Sequence, residues 1–286
     1  MAAFVFILPH LHPPTGHTSA CRFAALPMPY PVPTRFLHLS AYRGWPLAVA
    51  LALLTACGQP EKPAAETPDA KPAAPAVPGP ELTSLADSNV VSLLTPYLKE
   101  HPGSEVIVHT RLGDMRVRLY DDTPIHKANF LLLARKGLLN ETVFSRVVKG
   151  FAVQAGRSDH TTMPIRRYRL PPEIRPQHFH KRGALGMARY DDEQNPGKLS
   201  ASTDYYFVQG EKLTPYQAQA MAGRKLTPEQ LNTYATVGGV PSLDGRYTVF
   251  GEVIDGLEVI DKIAAEPVDP YKWPKKDVAV TVEVVK

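Results

Sequence analysis

The first acidic residue of this chain is Glu61, so all 28 acids of the 286-residue sequence lie beyond position 60. A folded domain of ordinary composition seldom runs so far without a carboxylate, and the part that folds must be sought after this stretch. The only charged side chains before Glu61 are Arg22, Arg35 and Arg43. Without them the formal excess of +4 shrinks to 29 basic against 28 acidic residues. A near-neutral remainder lacks the basic footprint of a nucleic-acid binder and gives no reason for a strongly charged partner.

Residues 45–54 form a short apolar run behind Arg35 and Arg43, and the run closes Leu54-Thr55-Ala56-Cys57-Gly58. A membrane span needs about 20 residues, so this run reads as the apolar core of a signal peptide. The terminal Leu-x-Ala-Cys resembles the bacterial lipobox. The resemblance implies a signal peptide over 1–57, cleavage before Cys57, lipidation of its sulfur and attachment to a membrane. Two acyl chains would hold the protein stably, where one alone is marginal. The Pro- and His-rich stretch before Met28 is unlike an n-region, so Met28 is an alternative start. Cys21 and Cys57 are the only cysteines; the chain beyond Cys57 has neither disulfide nor thiolate metal site, which suits an oxidising envelope. The expected location is the cell envelope, with the outer membrane favoured because Gly58 is not the Asp associated with inner-membrane retention.

Residues 58–81 are rich in Pro, Ala, Lys and Glu and nearly free of large apolar side chains. They cannot bury enough surface to fold and read as a disordered, semi-extended tether. Leu85, Val90, Leu94, Tyr97 and Leu98 then recur at helical spacing, which predicts an N-terminal helix within 82–104, closed by Pro102-Gly103. Strand alternation on either side of Leu112-Gly113-Asp114 predicts a hairpin. A helix follows from Pro124, capped by Asp122 or Thr123, and runs to Gly137. Short strands are expected over 144–148, 152–154, 184–187, 205–208, 248–253 and 278–285, with a second helix over 257–265. Many short strands and two separated helices predict a mainly β fold, an antiparallel β-barrel closed or capped by the two helices.

Four blocks carry a family resemblance. Phe144-Ser145-Arg146-Val147-Val148-Lys149-Gly150-Phe151-Ala152-Val153-Gln154-Ala155-Gly156 is followed by Gly183-Ala184-Leu185-Gly186-Met187-Ala188, by Asp204-Tyr205-Tyr206-Phe207-Val208, and by Leu243-Asp244-Gly245-Arg246-Tyr247-Thr248-Val249-Phe250-Gly251. Together with Pro124, His126, Ala128, Asn129 and Phe130 of the first helix, they resemble the cyclophilin-type peptidyl-prolyl cis/trans isomerases over residues 105–286. The resemblance implies the cyclophilin-like closed barrel and rotation about X-Pro bonds of proline-containing polypeptides. By the same resemblance Arg146 is catalytic, donating to the amide nitrogen, and Gln154 orients the carbonyl side. Phe151, Ala152, Tyr206, Leu243 and Tyr247 line the proline pocket, Ala188 leaves room for the preceding backbone, and Asp204 borders the site. No cofactor or metal is required, and a monomer is the expectation.

Several positions depart from the family. Ser145 stands where His is usual, Ala152 where Met is common, and Tyr206 where Phe is common. Ser242 stands where many members carry the Trp associated with cyclosporin binding, which predicts weak sensitivity to that drug. Asp204 replaces a usual Gln; a carboxylate there could lock Arg146 or neutralise it, and retained but modest activity is the expectation. Residues 210–240 are an insertion with helix starts at Thr214-Pro215 and Thr227-Pro228. His178 and His180 lack the further ligands a metal site needs, and Asp191, Asp192 and Glu193 read as a solvated loop. The rival to a folding catalyst for exported proteins is a catalytically weak, anchored peptide-binding chaperone or scaffold.

Overall fold

A computed structural model of the chain describes residues 79–157 and 167–286. The expectations for the signal peptide, for Cys57 and for the tether up to residue 78 lie outside the described residues. None of the described helices is long and apolar enough to cross a membrane.

The core is a nine-stranded antiparallel sheet. Its strands are β1 (Glu105–Thr110), β2 (Gly113–Leu119), β3 (Thr142–Val143), β4 (Arg146–Val148), β5 (Ala152–Ala155), β7 (Ala184–Met187), β9 (Tyr205–Val208), β10 (Val249–Asp255) and β11 (Ala279–Val284). A separate pair is formed by β6 (Arg169–Leu170) and β8 (Ser200–Ala201). The order across the large sheet is β3-β11-β1-β2-β10-β7-β9-β5-β4. Its two ends, β3 and β4, belong to one stretch of chain interrupted only by Phe144 and Ser145. The sheet margins are therefore joined covalently, and the bridge between Val143 and Arg157 draws β3 towards the end of β5.

Period-two alternation decides which side chains go inside. On β2, Met115, Val117 and Leu119 are buried while Asp114, Arg116 and Arg118 face out. The main core gathers these with Val106, Val147, Val153, Leu185, Phe207 and Val280. Helix α2 (Pro124–Arg135) and helix α5 (Leu257–Ala264) close it, the latter through Val259, Ile260 and Ile263. Phe130 of α2 meets Tyr205 edge-on at 5.2 Å and Phe250 at 5.5 Å, and truncating such a ring to Ala costs about 3–5 kcal/mol.

The start of α2 is held from a distance. Thr123 is the N-cap but makes no side-chain cap bond. Glu173 instead accepts from the backbone N–H groups of Ile125 at 3.0 Å and His126 at 2.9 Å, and binds the His126 ring at 2.6 Å. Past the helix end, Gly137 turns the chain in the left-handed region at φ 70°, where a side chain would be strained.

The N-terminal helix is shorter than its periodicity predicts. A 3-10 turn (Leu82–Ser84) precedes α1, which runs only from Val90 to Glu100. Asn89 accepts from Ala86 N–H at 2.8 Å and donates to Ser84 C=O at 2.9 Å, so its amide satisfies the backbone in a turn where a helix would otherwise continue. Arg135 of α2 donates to the carbonyls of His101 and Pro102, both at 2.7 Å, which ties the end of α1 to the barrel.

The insertion contains α3 (Pro215–Ala222) and α4 (Pro228–Thr236), each opened by a full capping box, Thr214 with Gln217 and Thr227 with Gln230. They share a small core of Ala218, Ala222, Leu226 and Tyr234.

Candidate active site

Four strands carry the candidate residues in one row. Arg146 of β4 pairs with Gln154 of β5, Gln154 with Tyr206 of β9, and Tyr206 with Gly186 of β7. Directly opposed residues project from the same face of a sheet, so Arg146, Gln154 and Tyr206 stand side by side. Their strand neighbours Val147, Val153, Tyr205 and Phe207 point the other way, into the main core. On the row's own face lies a second apolar cluster with Ala152, Ala188, Tyr206, Leu243 and Tyr247, and Phe151 packs against it.

The polar groups bordering this cluster are under tension. Gln154 is 5 % exposed, and its Oε1 has no hydrogen-bond partner among the described residues. Leaving such an acceptor unsatisfied costs about 1–3 kcal/mol, and native proteins tolerate it where a ligand completes the bond. Arg146 is half-buried. Burial depresses its guanidinium pKa and the nearby Tyr247 phenol opposes the shift, yet arginine remains cationic at any physiological pH. The turn between β4 and β5 is pinned by Gln209, whose Oε1 accepts from Gly150 N–H at 2.7 Å.

Two tyrosines wall the cluster and each is clamped from behind. Tyr206 and Tyr247 meet edge-on, with centroids 6.2 Å apart. The Tyr206 hydroxyl reaches His180 Nε2 at 2.9 Å, and His180 Nδ1 lies 3.0 Å from Asp244 Oδ1. The Arg189 guanidinium lies 4.6 Å from the centre of the Tyr247 ring. Although Arg189 is buried, its donors reach Arg246 C=O, Tyr190 C=O and the Asp192 carboxylate.

The family model for "Cyclophilin type peptidyl-prolyl cis-trans isomerase/CLD" matches residues 105–284. The chain belongs to the cyclophilin family. A Streptococcus pyogenes protein described as "Putative bifunctional phosphatase/peptidyl-prolyl cis-trans isomerase" is 34% identical over 194 residues, which is 65% of this chain and 40% of that protein. The chain thus spans less than half of that relative's length. A Staphylococcus saprophyticus protein described as "Putative peptidyl-prolyl cis-trans isomerase" is 31% identical over 64% of this chain and 94% of its own length. A Staphylococcus aureus protein of the same description is 29% identical over 62% of this chain and 88% of its own. Crystal structures of a Cryptosporidium parvum cyclophilin type peptidyl-prolyl cis-trans isomerase align over 64% of this chain. One gives a TM-score of 0.47 at 20% identity over 98% of that chain; the other, determined in the presence of the dipeptide Ala-Pro, 0.46 at 21% over 99%.

In this cyclophilin Phe151, Ala152, Ala188, Tyr206, Leu243 and Tyr247 meet in the one cluster, with Arg146 and Gln154 in its row. Asp204 lies at the edge and its charge is spoken for: Oδ1 accepts from Arg157 Nε at 2.9 Å and Oδ2 from the Thr203 hydroxyl at 3.3 Å. The sequence left open whether Asp204 locks or neutralises Arg146; the bonds named here run to Arg157 and Thr203. His178 and His180 go to separate places. His178 stacks on Tyr120 at 3.8 Å and bonds Asp122 at 2.7 Å, while His180 supports the floor of the cluster. Asp192 is exposed, as expected of a solvated loop, and also pairs with Arg189 at 2.5 Å and Arg246 at 3.2 Å.

The supporting roles of His180, Arg189, Asp244 and Arg157 are invisible in the sequence. Asp244 stands inside a recognised block, yet its partners lie 64 residues upstream in His180 and ten upstream in Tyr234. A cavity of about 560 Å³ opens elsewhere, between α4, β10 and residues 177–182. In its lining Lys181 pairs with Glu252 at 2.7 Å, and Arg182 pairs with Asp261.

Proposed function

We propose that this cyclophilin rotates X-Pro bonds in exported polypeptides, with Arg146 stabilising the twisted amide. The barrier it must lower is about 18–20 kcal/mol, because the planar C–N bond has partial double-bond character. No nucleophile or proton transfer is needed. A catalyst has only to bind the half-rotated amide better than either planar isomer. In that state the nitrogen recovers a lone pair, which a fixed cation can meet with an N–H donor.

The observation that carries the proposal is the pairing of Arg146 with Gln154, whose buried Oε1 lacks a partner among the described residues and lies beside an apolar cluster. In this reading the cluster holds the proline ring between Phe151, Ala152, Tyr206, Leu243 and Tyr247. Gln154 bonds the substrate backbone, and Arg146 acts at the nitrogen. A protease-coupled isomerisation assay on a short X-Pro peptide tests it: the full chain should accelerate exchange, and Arg146→Ala should lose most of that acceleration. Peptide binding without acceleration would leave an anchored chaperone or scaffold instead.

The place of action proposed is the cell envelope, reached by export and held through lipidated Cys57. The support is the order of basic flank, apolar run, small residues and cysteine in the sequence. Fatty-acid labelling in cells should mark the protein and vanish in Cys57→Ser; unlabelled wild-type protein would refute the anchor.

A further inference from the structure

We infer that the helical insertion is wired to the floor of the proline pocket through Tyr234, Asp244, His180 and Tyr206, and that the first three are positioning residues for the isomerisation proposed above, on which this inference rests. The insertion then ceases to be an appendage and becomes part of the pocket's construction.

The series is continuous. Tyr234 of α4 donates its hydroxyl to Asp244 Oδ2 at 2.7 Å, and Arg224 donates to the same oxygen at 3.2 Å. Asp244 Oδ1 accepts from His180 N–H at 2.8 Å and faces Nδ1 at 3.0 Å. His180 Nε2 meets the Tyr206 hydroxyl at 2.9 Å. His180, Tyr206 and Tyr234 have no exposed surface, and Asp244 is 4 % exposed. A bond lost from the series therefore leaves a buried polar group without a partner, and the links to Asp244 are charge-assisted.

The donors are also assigned by the surroundings. Burial by itself raises the Asp244 carboxyl pKa, but the donors from His180 and Tyr234 outweigh it and leave the group below its ordinary value. An ionised Asp244 can only accept, so His180 Nδ1 carries the hydrogen of their contact. Burial holds the Tyr206 phenol protonated, well above its usual range, so a hydroxyl and not a phenolate meets His180 Nε2. Strand β9 holds the base of this ring and His180 holds its tip.

The seat of Tyr234 is equally constrained. A Cβ on Gly239 would lie 2.3 Å from His180 C=O and 2.6 Å from the Tyr234 ring. Gly239 thus packs against both the His180 backbone and the Tyr234 ring, with no room for a side chain between them.

The test is a double-mutant cycle with Tyr234→Phe and Tyr206→Phe, which keep both rings and remove single hydroxyls. Tyr234 is remote from the substrate; its loss alone should lower kcat/KM on an X-Pro peptide roughly fivefold, mainly through KM, as expected for one buried bond partly transmitted. In the Tyr206→Phe background the same change should have almost no effect, because the series is already cut. Equal losses in both backgrounds would overturn the inference, since a merely structural Tyr234 acts independently of the Tyr206 hydroxyl. Arg224→Met, which removes the second donor to Asp244, should follow the same pattern with a smaller loss. A wild-type chain with no isomerase activity would sink the proposed function, and the series would then be decided by the nitrogen NMR shift of His180 Nε2. Tyr234→Phe should move that shift; an unmoved shift would overturn the inference.

Discussion

The ring of Tyr206 fills the place where a side chain on Gly186 would stand: a Cβ there would lie 2.4 Å from Cζ and 2.5 Å from the hydroxyl. The glycine on β7 is thus the counterpart of the bulk on β9. Gly186→Ala should destabilise the fold by about 1–3 kcal/mol through overpacking. Adding Tyr206→Leu should restore most of the lost melting temperature. Thermal unfolding of the single and double variants checks this, and no recovery in the double variant would mean the clash lies elsewhere.

Arg146 acts in the proposed mechanism through both its charge and its planar fork of donors. Arg146→Ala should lower kcat/KM by about 10²-fold or more, the scale for losing a donor aimed at a transition state. Arg146→Lys keeps the charge but loses the fork, and should recover only a small part. Exchange NMR on an X-Pro peptide measures both; full activity in Arg146→Ala would remove the residue from the mechanism.

The position of Asp204 in the sequence suggests a restraint on Arg146, which Asp204→Gln would relieve with a gain in activity. Its bond to Arg157 shifts the expectation, because that guanidinium takes up the carboxylate charge. Asp204→Gln should change kcat/KM by less than about threefold, the effect of a surface-type pair. A tenfold change in either direction would show that Asp204 acts on the substrate.

Asp244 makes stability depend on acid. Its folded pKa is depressed, with His180 and Tyr234 outweighing the effect of burial. A depressed carboxyl contributes stability that is present above its unfolded pKa of about 3.9 and is lost as pH falls through the lower folded value. Resistance to unfolding by urea should therefore fall below about pH 4 in the wild type. Asp244→Asn should cost about 3 kcal/mol at neutral pH and flatten that acid limb. An unchanged limb would assign the acid sensitivity to other carboxyls.

Ser242 sits in the 3-10 turn Pro241–Leu243 beside Leu243 of the second apolar cluster. It offers no indole surface, so cyclosporin should inhibit weakly. Ser242→Trp should tighten inhibition at least roughly tenfold, the scale of about 1.4 kcal/mol from one added aromatic contact. A low-nanomolar wild-type titration would contradict this reading.

Residue patterns along the chain were enough to place the longer strands and the two capping helices, and the family resemblance picked out Arg146, Gln154 and Tyr206. The short strands β3, β6 and β8 and the register that sets those three residues in one row came only from the structure. What was legible follows from local rules: alternation on a pleated strand, proline at helix starts, and residue blocks whose order survives in one dimension. Even the insertion helices were legible, because Thr214 and Thr227 cap them from within three residues. The Asn89 turn was not, since helical spacing of apolar residues says nothing of an amide that satisfies the backbone locally. How the site is held was settled only by folding in three dimensions. Glu173 caps α2 from 48 residues away, Arg157 takes Asp204 from 47, and His180 joins Asp244 across 64. Such bonds depend on where folding brings distant polar groups once water has been excluded, and no periodicity in the chain encodes that distance.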